Sequence, residues 1–284
     1  MKQLFALLFA LCLLTGCASR QDAPAPGEQE AVVIALLDTG VSTTAIPSEN
    51  LLPGWNYVTG TADTEDRINH GTAVASVIAG CESAGVEAMA PEARLVPLAV
   101  ADKVEGEMVS VTPEVLAQAI RDSVEVHGAD IVNVSIGIKK DTPEVRKAVK
   151  YARKQGALVI AAVGNDGKSE DLYYPAACEG VLGVGSCDKY GNLSDFSQQN
   201  GTADLLAPGE DIWLASRNGK TYGAKGTSYA TGFVSAAAAR LWRESPELSA
   251  KAVEEQLLTA SAQTAEGCPV LDREAVLAGG TPAA

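Results

Sequence analysis

The chain has 284 residues, long enough for one large α/β core with most of its apolar surface covered. Its net charge of −14 argues against a nucleic-acid binder, because phosphate contacts need clustered Lys and Arg. Aromatic residues make up only 5%, and the small apolar residues that dominate suit helices packed closely on a parallel sheet.

Residues 1–16 read as an address rather than as fold. Lys2 gives a positive start, and the apolar run from Leu4 to Leu14 is too short to span a bilayer. The run ends in Leu14-Thr15-Gly16-Cys17, which resembles the lipobox of bacterial lipoproteins. That resemblance implies cleavage before Cys17, acylation of its sulfur and its new amine, and a stable membrane anchor of more than one chain. An ordinary secretory signal with an incidental cysteine is the plainer alternative. Ala18 after the cysteine, rather than Asp, points to the outer membrane of a Gram-negative envelope, facing the periplasm or the exterior. Residues 17–30 lack apolar periodicity and read as a flexible tether, leaving 31–284 as a single folded domain.

From Ala31, apolar β-rich runs alternate with helical patterns. Strands are expected at 32–37, 94–100, 131–134, 158–163, 181–185 and 212–214. Most are continuous apolar runs, as in a parallel sheet covered on both faces. Thr112 caps a helix over 113–127 with Pro113 at its first position and Gly128 as its stop. Thr142, Pro143 and Gly156 repeat the device, and Ser249 caps a helix reaching Ala260. This rhythm predicts a doubly wound parallel β-sheet with helices on both faces, in one domain.

Cys81, Cys178, Cys187 and Cys268 remain once Cys12 leaves with the signal and Cys17 is lipidated. An even set in an oxidising compartment predicts two disulfides, with free thiols as the alternative. Cys178 and Cys187 flank an apolar run whose ends would lie ~20 Å apart if straight, so each is expected to pair elsewhere. No Cys-x-x-Cys or Cys/His cluster suggests zinc, and no metal site is expected.

Four stretches place reactive groups at element edges. Asp38 closes the first strand and precedes Thr39-Gly40, where a half-buried carboxylate can accept from an imidazole N–H. His70 opens a helix reaching Ala79, with Asn69 as its cap and Gly71 allowing close approach. The other histidine, His127, ends a helix, where a cation suits the dipole. Ser228 lies in Gly226-Thr227-Ser228-Tyr229-Ala230-Thr231-Gly232, at the start of an Ala-rich helix that stops by Pro246. A lone serine has no nucleophilic strength at neutral pH and needs a base. Asn165 follows a strand in Ala161-Ala162-Val163-Gly164-Asn165-Asp166-Gly167; taken alone, that stretch is an ordinary turn. Taken alone, too, the segment from Ala35 to Val41 resembles a retroviral aspartic protease. Such a site needs two carboxylates sharing a proton, and no second Asp-Thr-Gly or Asp-Ser-Gly occurs.

Together these stretches resemble the subtilase family of serine proteases over roughly residues 31–278, and Asp…His…Ser is subtilisin's own chain order. The resemblance implies a serine endopeptidase acting on polypeptides, with Ser228 as nucleophile, His70 as base and Asp38 orienting the imidazole. Asn165 and the Ser228 N–H would hold the oxyanion. The resemblance also assigns Ser135, Ile136 and Gly137 to backbone pairing with substrate, as an added strand. Ala162, Val163 and Gly164 would face them across the S1 pocket, with the loop 168–173 as its floor. Tyr174-Pro175-Ala176 and Leu206-Ala207-Pro208-Gly209 are further landmarks.

The chain also departs from the family. Only the tether precedes the first strand, so no prodomain is expected. Either folding needs no intramolecular chaperone or a separate inhibitor or folding partner supplies one. Ala73 stands where a second His is common, and Tyr229 replaces the usual Met after the nucleophile. The resemblance brings calcium with it, but the family's calcium loops are not recognisable around 81–86, and no cofactor is expected. A catalytically idle lipoprotein acting as a binding or scaffold module is the rival class.

Overall fold

The computed structural model describes residues 31–263 and 268–272. Cys17 and the rest of residues 1–30 lie outside the described residues. The strands are β1 (Val33–Asp38), β2 (Trp55–Asn56), β3 (Arg94–Ala99), β4 (Asp102–Val104), β5 (Glu107–Val109), β6 (Ile131–Val134) and β7 (Leu158–Ala162). They continue with β8 (Leu182–Cys187), β9 (Leu205–Pro208), β10 (Ile212–Ala215), β11 (Thr221–Ala224), β12 (Ala262–Gln263) and β13 (Pro269–Val270). The helices are α1 (Gly71–Ala79), α2 (Pro113–Glu125), α3 (Pro143–Lys154), α4 (Thr227–Glu244) and α5 (Ala250–Thr259).

Among the described residues, nine strands form one sheet in the order β12-β13-β9-β8-β7-β6-β1-β3-β2, parallel except for the β12–β13 pair. Alternate residues of β1 enter opposite cores. Ile34 and Leu36 pack with Val74 and Ile78 of α1, Val234 of α4 and Leu257 of α5. Ala35 and Leu37 pack with Leu116 and Ile120 of α2 and Val145 and Val149 of α3. Burial on both faces is why these strands read as unbroken apolar runs; each fully buried large side chain contributes about 1.5–3 kcal/mol. Helices thus cover both faces of a doubly wound sheet.

Thr112, Thr142 and Ser249 cap their helices, their hydroxyls accepting from Val115, Val145 and Ala252 N–H at 3.3, 3.4 and 3.2 Å. The segment at 212–214 forms, but as β10 in an antiparallel hairpin with β11, outside the main sheet. Gly232 brings α4 onto α1, where an added Cβ would sit 3.3 Å from Val74 O.

Among the described residues, the two expected disulfides are not present. Cys81, Cys178 and Cys187 are buried thiols, and half-buried Cys268 directs its Sγ to Ala203 O at 3.7 Å. Burial pushes the Cys178 thiol up to about 11 and that of Cys187 up to about 12, so neither is a ready thiolate at neutral pH. Counting cysteines in an oxidising compartment overlooked their fate as small core residues.

Candidate active site

β1 has β3 on one side and β6 on the other, so the chain reverses its winding direction there. Ligand crevices of α/β sheets open beyond the strand C-termini at such a switch point. Asp38 is the last residue of β1 and Ser135 directly follows β6.

Asp38 is fully buried, not half-buried as expected. Its Oδ1 accepts from Thr39 N–H at 2.7 Å and lies 2.7 Å from His70 Nδ1. His70 immediately precedes α1, and its side chain is 28% exposed, so one edge of the imidazole meets the crevice. Burial disfavours the imidazolium, but the charge and hydrogen bond of Asp38, with the charge of Asp66, outweigh it and raise His70 above its ordinary 6.5. Gly71 is required by closeness: an added Cβ would lie 3.1 Å from Asp38 Oδ1 and collide with Gly40 O.

Asn69 does not cap α1. Its φ is +86° and its Oδ1 accepts from Arg217 N–H. The capping falls to Asp66, a fully buried carboxylate not identified in the sequence. Its Oδ1 accepts from Ile68 N–H, Asn69 N–H and the Thr39 hydroxyl at 2.9, 2.8 and 2.9 Å. Its Oδ2 accepts from Thr72 N–H and the Thr72 hydroxyl at 2.9 and 2.7 Å. Thr39 Oγ1 in turn accepts from Gly71 N–H at 2.9 Å, tying the turn after Asp38 to the start of α1. An Asp four residues before the histidine was the available signal.

Ser228 is the second residue of α4 and 5% exposed. The helix itself leaves a backbone N–H at this position without an acceptor, beside the positive dipole end. Its Oγ donates to Ser135 O at 2.9 Å. Asn165 is exposed, and its Oδ1 accepts from Thr227 N–H and Oγ1 at 2.9 and 3.0 Å, placing the amide beside the neighbour of Ser228. Tyr229 brings α4 against His70, with ring centroids 5.6 Å apart. The structure thus brings Asp38 to His70, Tyr229 to His70, Ser135 to Ser228 and Asn165 to Thr227.

A buried network braces α4 against β6. Asn133 donates to Ser235 Oγ at 2.8 Å and accepts from Ser135 Oγ at 2.8 Å, and Ser135 Oγ also lies 3.2 Å from Ser228 O. Ser135 is buried, whereas Ile136 and Gly137 are half-buried. Across from them, Ala162, Val163 and Gly164 are buried, and the Val163 side chain belongs to the core beneath α2 and α3. His127 lies beyond the end of α2, and burial lowers its pKa, favouring the neutral ring over the expected cation. Among the described residues, no three His, Cys, Asp or Glu side chains converge as metal ligands would. Cys81 and Val86 are joined by two mutual backbone hydrogen bonds, at 2.8 and 3.0 Å.

The Subtilase family profile matches residues 29–275, and the chain belongs to that family of subtilisin-like serine endopeptidases. The major intracellular serine protease of Bacillus subtilis (strain 168) is 40% identical over 219 residues, covering 73% of this chain and 67% of its own. Subtilisin Savinase of Lederbergia lenta is 35% identical, covering 81% and 85%. Among solved structures, S41 psychrophilic protease superposes with a TM-score of 0.73 at 30% identity, covering 82% and 84%. The self-cleaved protease domain of PatA gives 0.71 at 31% identity, covering 88% and 97%.

Proposed function

We propose that Ser228 is the nucleophile that cleaves polypeptide chains, with His70 as its base and Asp38 orienting the imidazole. The observation that carries this assignment is the 2.7 Å contact between His70 Nδ1 and a fully buried carboxylate, on a ring packed against the first turn of α4. With Asp38 accepting the Nδ1 proton, Nε2 is left to take the proton of Ser228 as its Oγ attacks the scissile carbonyl. The Ser228 bond to Ser135 O is exchanged for one to His70 as substrate enters; such contacts often tighten only in the complex. Oxyanion charge develops beside the Ser228 N–H and the Asn165 amide. His70 then protonates the leaving amine, and water hydrolyses the acyl-enzyme.

An extended substrate pairs with the backbone of Ser135, Ile136 and Gly137 and runs beside Ala162, Val163 and Gly164. Gly164 and Val163 contribute main chain there, since the Val163 side chain lies in the core. The cycle needs no metal. We further propose that acylated Cys17 anchors the protein in a bacterial envelope, at the outer membrane.

The test is casein hydrolysis by the full chain. Activity should resist pepstatin and vanish in Ser228→Ala. A folded protein inert towards casein and peptide libraries would instead favour the idle scaffold. For the anchor, Cys17→Ala should move the protein from the membrane to the soluble fraction; unchanged fractionation contradicts it.

A further inference from the structure

Tyr173 occupies the space between the two chain segments that leave β6 and β7. One edge of its ring faces Gly137, where an added Cβ would lie 3.5 Å from Cδ1. The opposite edge faces Gly164, where an added Cβ would lie 2.6 Å from Cε2. The ring therefore spans the gap from one segment to the other, and only glycine at 164, with φ +109°, allows it.

Several groups hold it there. The Tyr173 hydroxyl donates to Asp166 Oδ2 at 2.8 Å. Lys139 bridges Asp166 and Asp171 at 2.7 and 2.8 Å, and its Nζ lies 5.3 Å from the ring centroid. Gln198, itself buried, accepts from Asp166 N–H at 3.1 Å and donates to Ser169 O and Asp171 O at 2.6 and 2.8 Å, fixing the loop from beneath. Ile138 and Tyr174 close the far side by mutual backbone bonds of 2.9 and 2.7 Å.

This gap is where chemistry places one substrate side chain. His70 must protonate the leaving amine, so the leaving half lies towards β1 and α1. The acyl half then lies on the other side of Ser228, over the exits of β6 and β7. Resting on the function proposed above, we infer that Tyr173 fills the pocket for the side chain that precedes the scissile bond. The enzyme therefore cleaves after glycine, alanine or serine and rejects large residues.

The test uses the full chain and matched peptide anilides ending in Ala or Phe. The wild type should favour Ala over Phe by at least about tenfold in kcat/KM, within the range that hydrophobic-pocket discrimination reaches. Tyr173→Ala should shift that ratio towards Phe by about tenfold or more. Tyr173→Phe, which keeps the ring, should hold the ratio within about threefold. A wild type that prefers Phe overturns the inference whether or not the variants fold, and so does a ratio that Tyr173→Ala leaves unchanged. Titration of Ser228 with a fluorophosphonate in the same samples separates the two levels. Failure to label removes the proposed function and this inference with it; full labelling with the wrong ratio removes this inference alone.

Discussion

Replacing Asp66 with Asn isolates what a second buried carboxylate does beside His70. The two side chains have nearly the same shape, but Asn offers an NH2 group where Oδ2 now accepts from Thr72 N–H and the Thr72 hydroxyl. The hydroxyl can turn only at the expense of other contacts, since Thr72 Oγ1 already accepts from Ser42 N–H at 3.0 Å. The Thr72 N–H cannot turn at all. An orphaned buried donor and the loss of charge-assisted bonds cost about 2–4 kcal/mol, or roughly 5–15 °C in Tm for a domain of this size. The charge has a separate signature. Asp66 helps to raise His70, and His70 must be neutral to act as base, so activity rises with pH through the raised value. In Asp66→Asn, the acid limb of kcat/KM should move to lower pH. The stability linkage has the opposite sense: protonated His70 stabilises the fold below its ordinary 6.5, and that contribution fades as pH rises through the raised value. A peptide-anilide assay across about pH 5–9, with thermal melts, reads both effects. A folded variant whose acid limb stays put or moves up, or whose Tm falls by less than about 2 °C, would mean that the Asp66 carboxylate lacks the corresponding role.

Three further outcomes follow from the same geometry. Asn165→Ala should lower kcat by ~10²–10³ with little change in KM, a magnitude that comes from subtilisin itself; a loss confined to KM would mean the amide only binds substrate. Excess dithiothreitol should leave Tm unchanged, because the described cysteines are not bridged; losing a native disulfide typically costs about 2–5 kcal/mol, so a large drop would reinstate one. EDTA should also leave Tm unchanged, and a fall of several degrees would reveal a stabilising cation.

Much of this architecture was legible because burial on both faces writes unbroken apolar runs. The stretch 131–134 coincides with β6, and 158–163 overruns β7 by one residue. β9 escaped because its four residues, Leu205–Pro208, end in a proline and sit among polar turns. β12 and β13 have two residues each and are defined by pairing rather than by pattern. Asp38, His70, Ser228 and Asn165 stood out because each closes or opens an element in a distinctive local frame. Asp66 did not, and Tyr173 figured only as the last residue of the 168–173 loop, since their roles come from what surrounds them. One is ringed by donors, the other wedged between two glycines distant in sequence. The cysteines misled for a related reason: compartment and parity say nothing about whether two thiols come within reach.

The most direct measurement is mass-spectrometric mapping of a fluorophosphonate adduct on the folded full-length chain. One adduct is expected, on Ser228, formed at a rate that collapses in His70→Ala and Asp38→Ala. Labelling at another serine, or at Ser228 with a rate indifferent to His70, would contradict it.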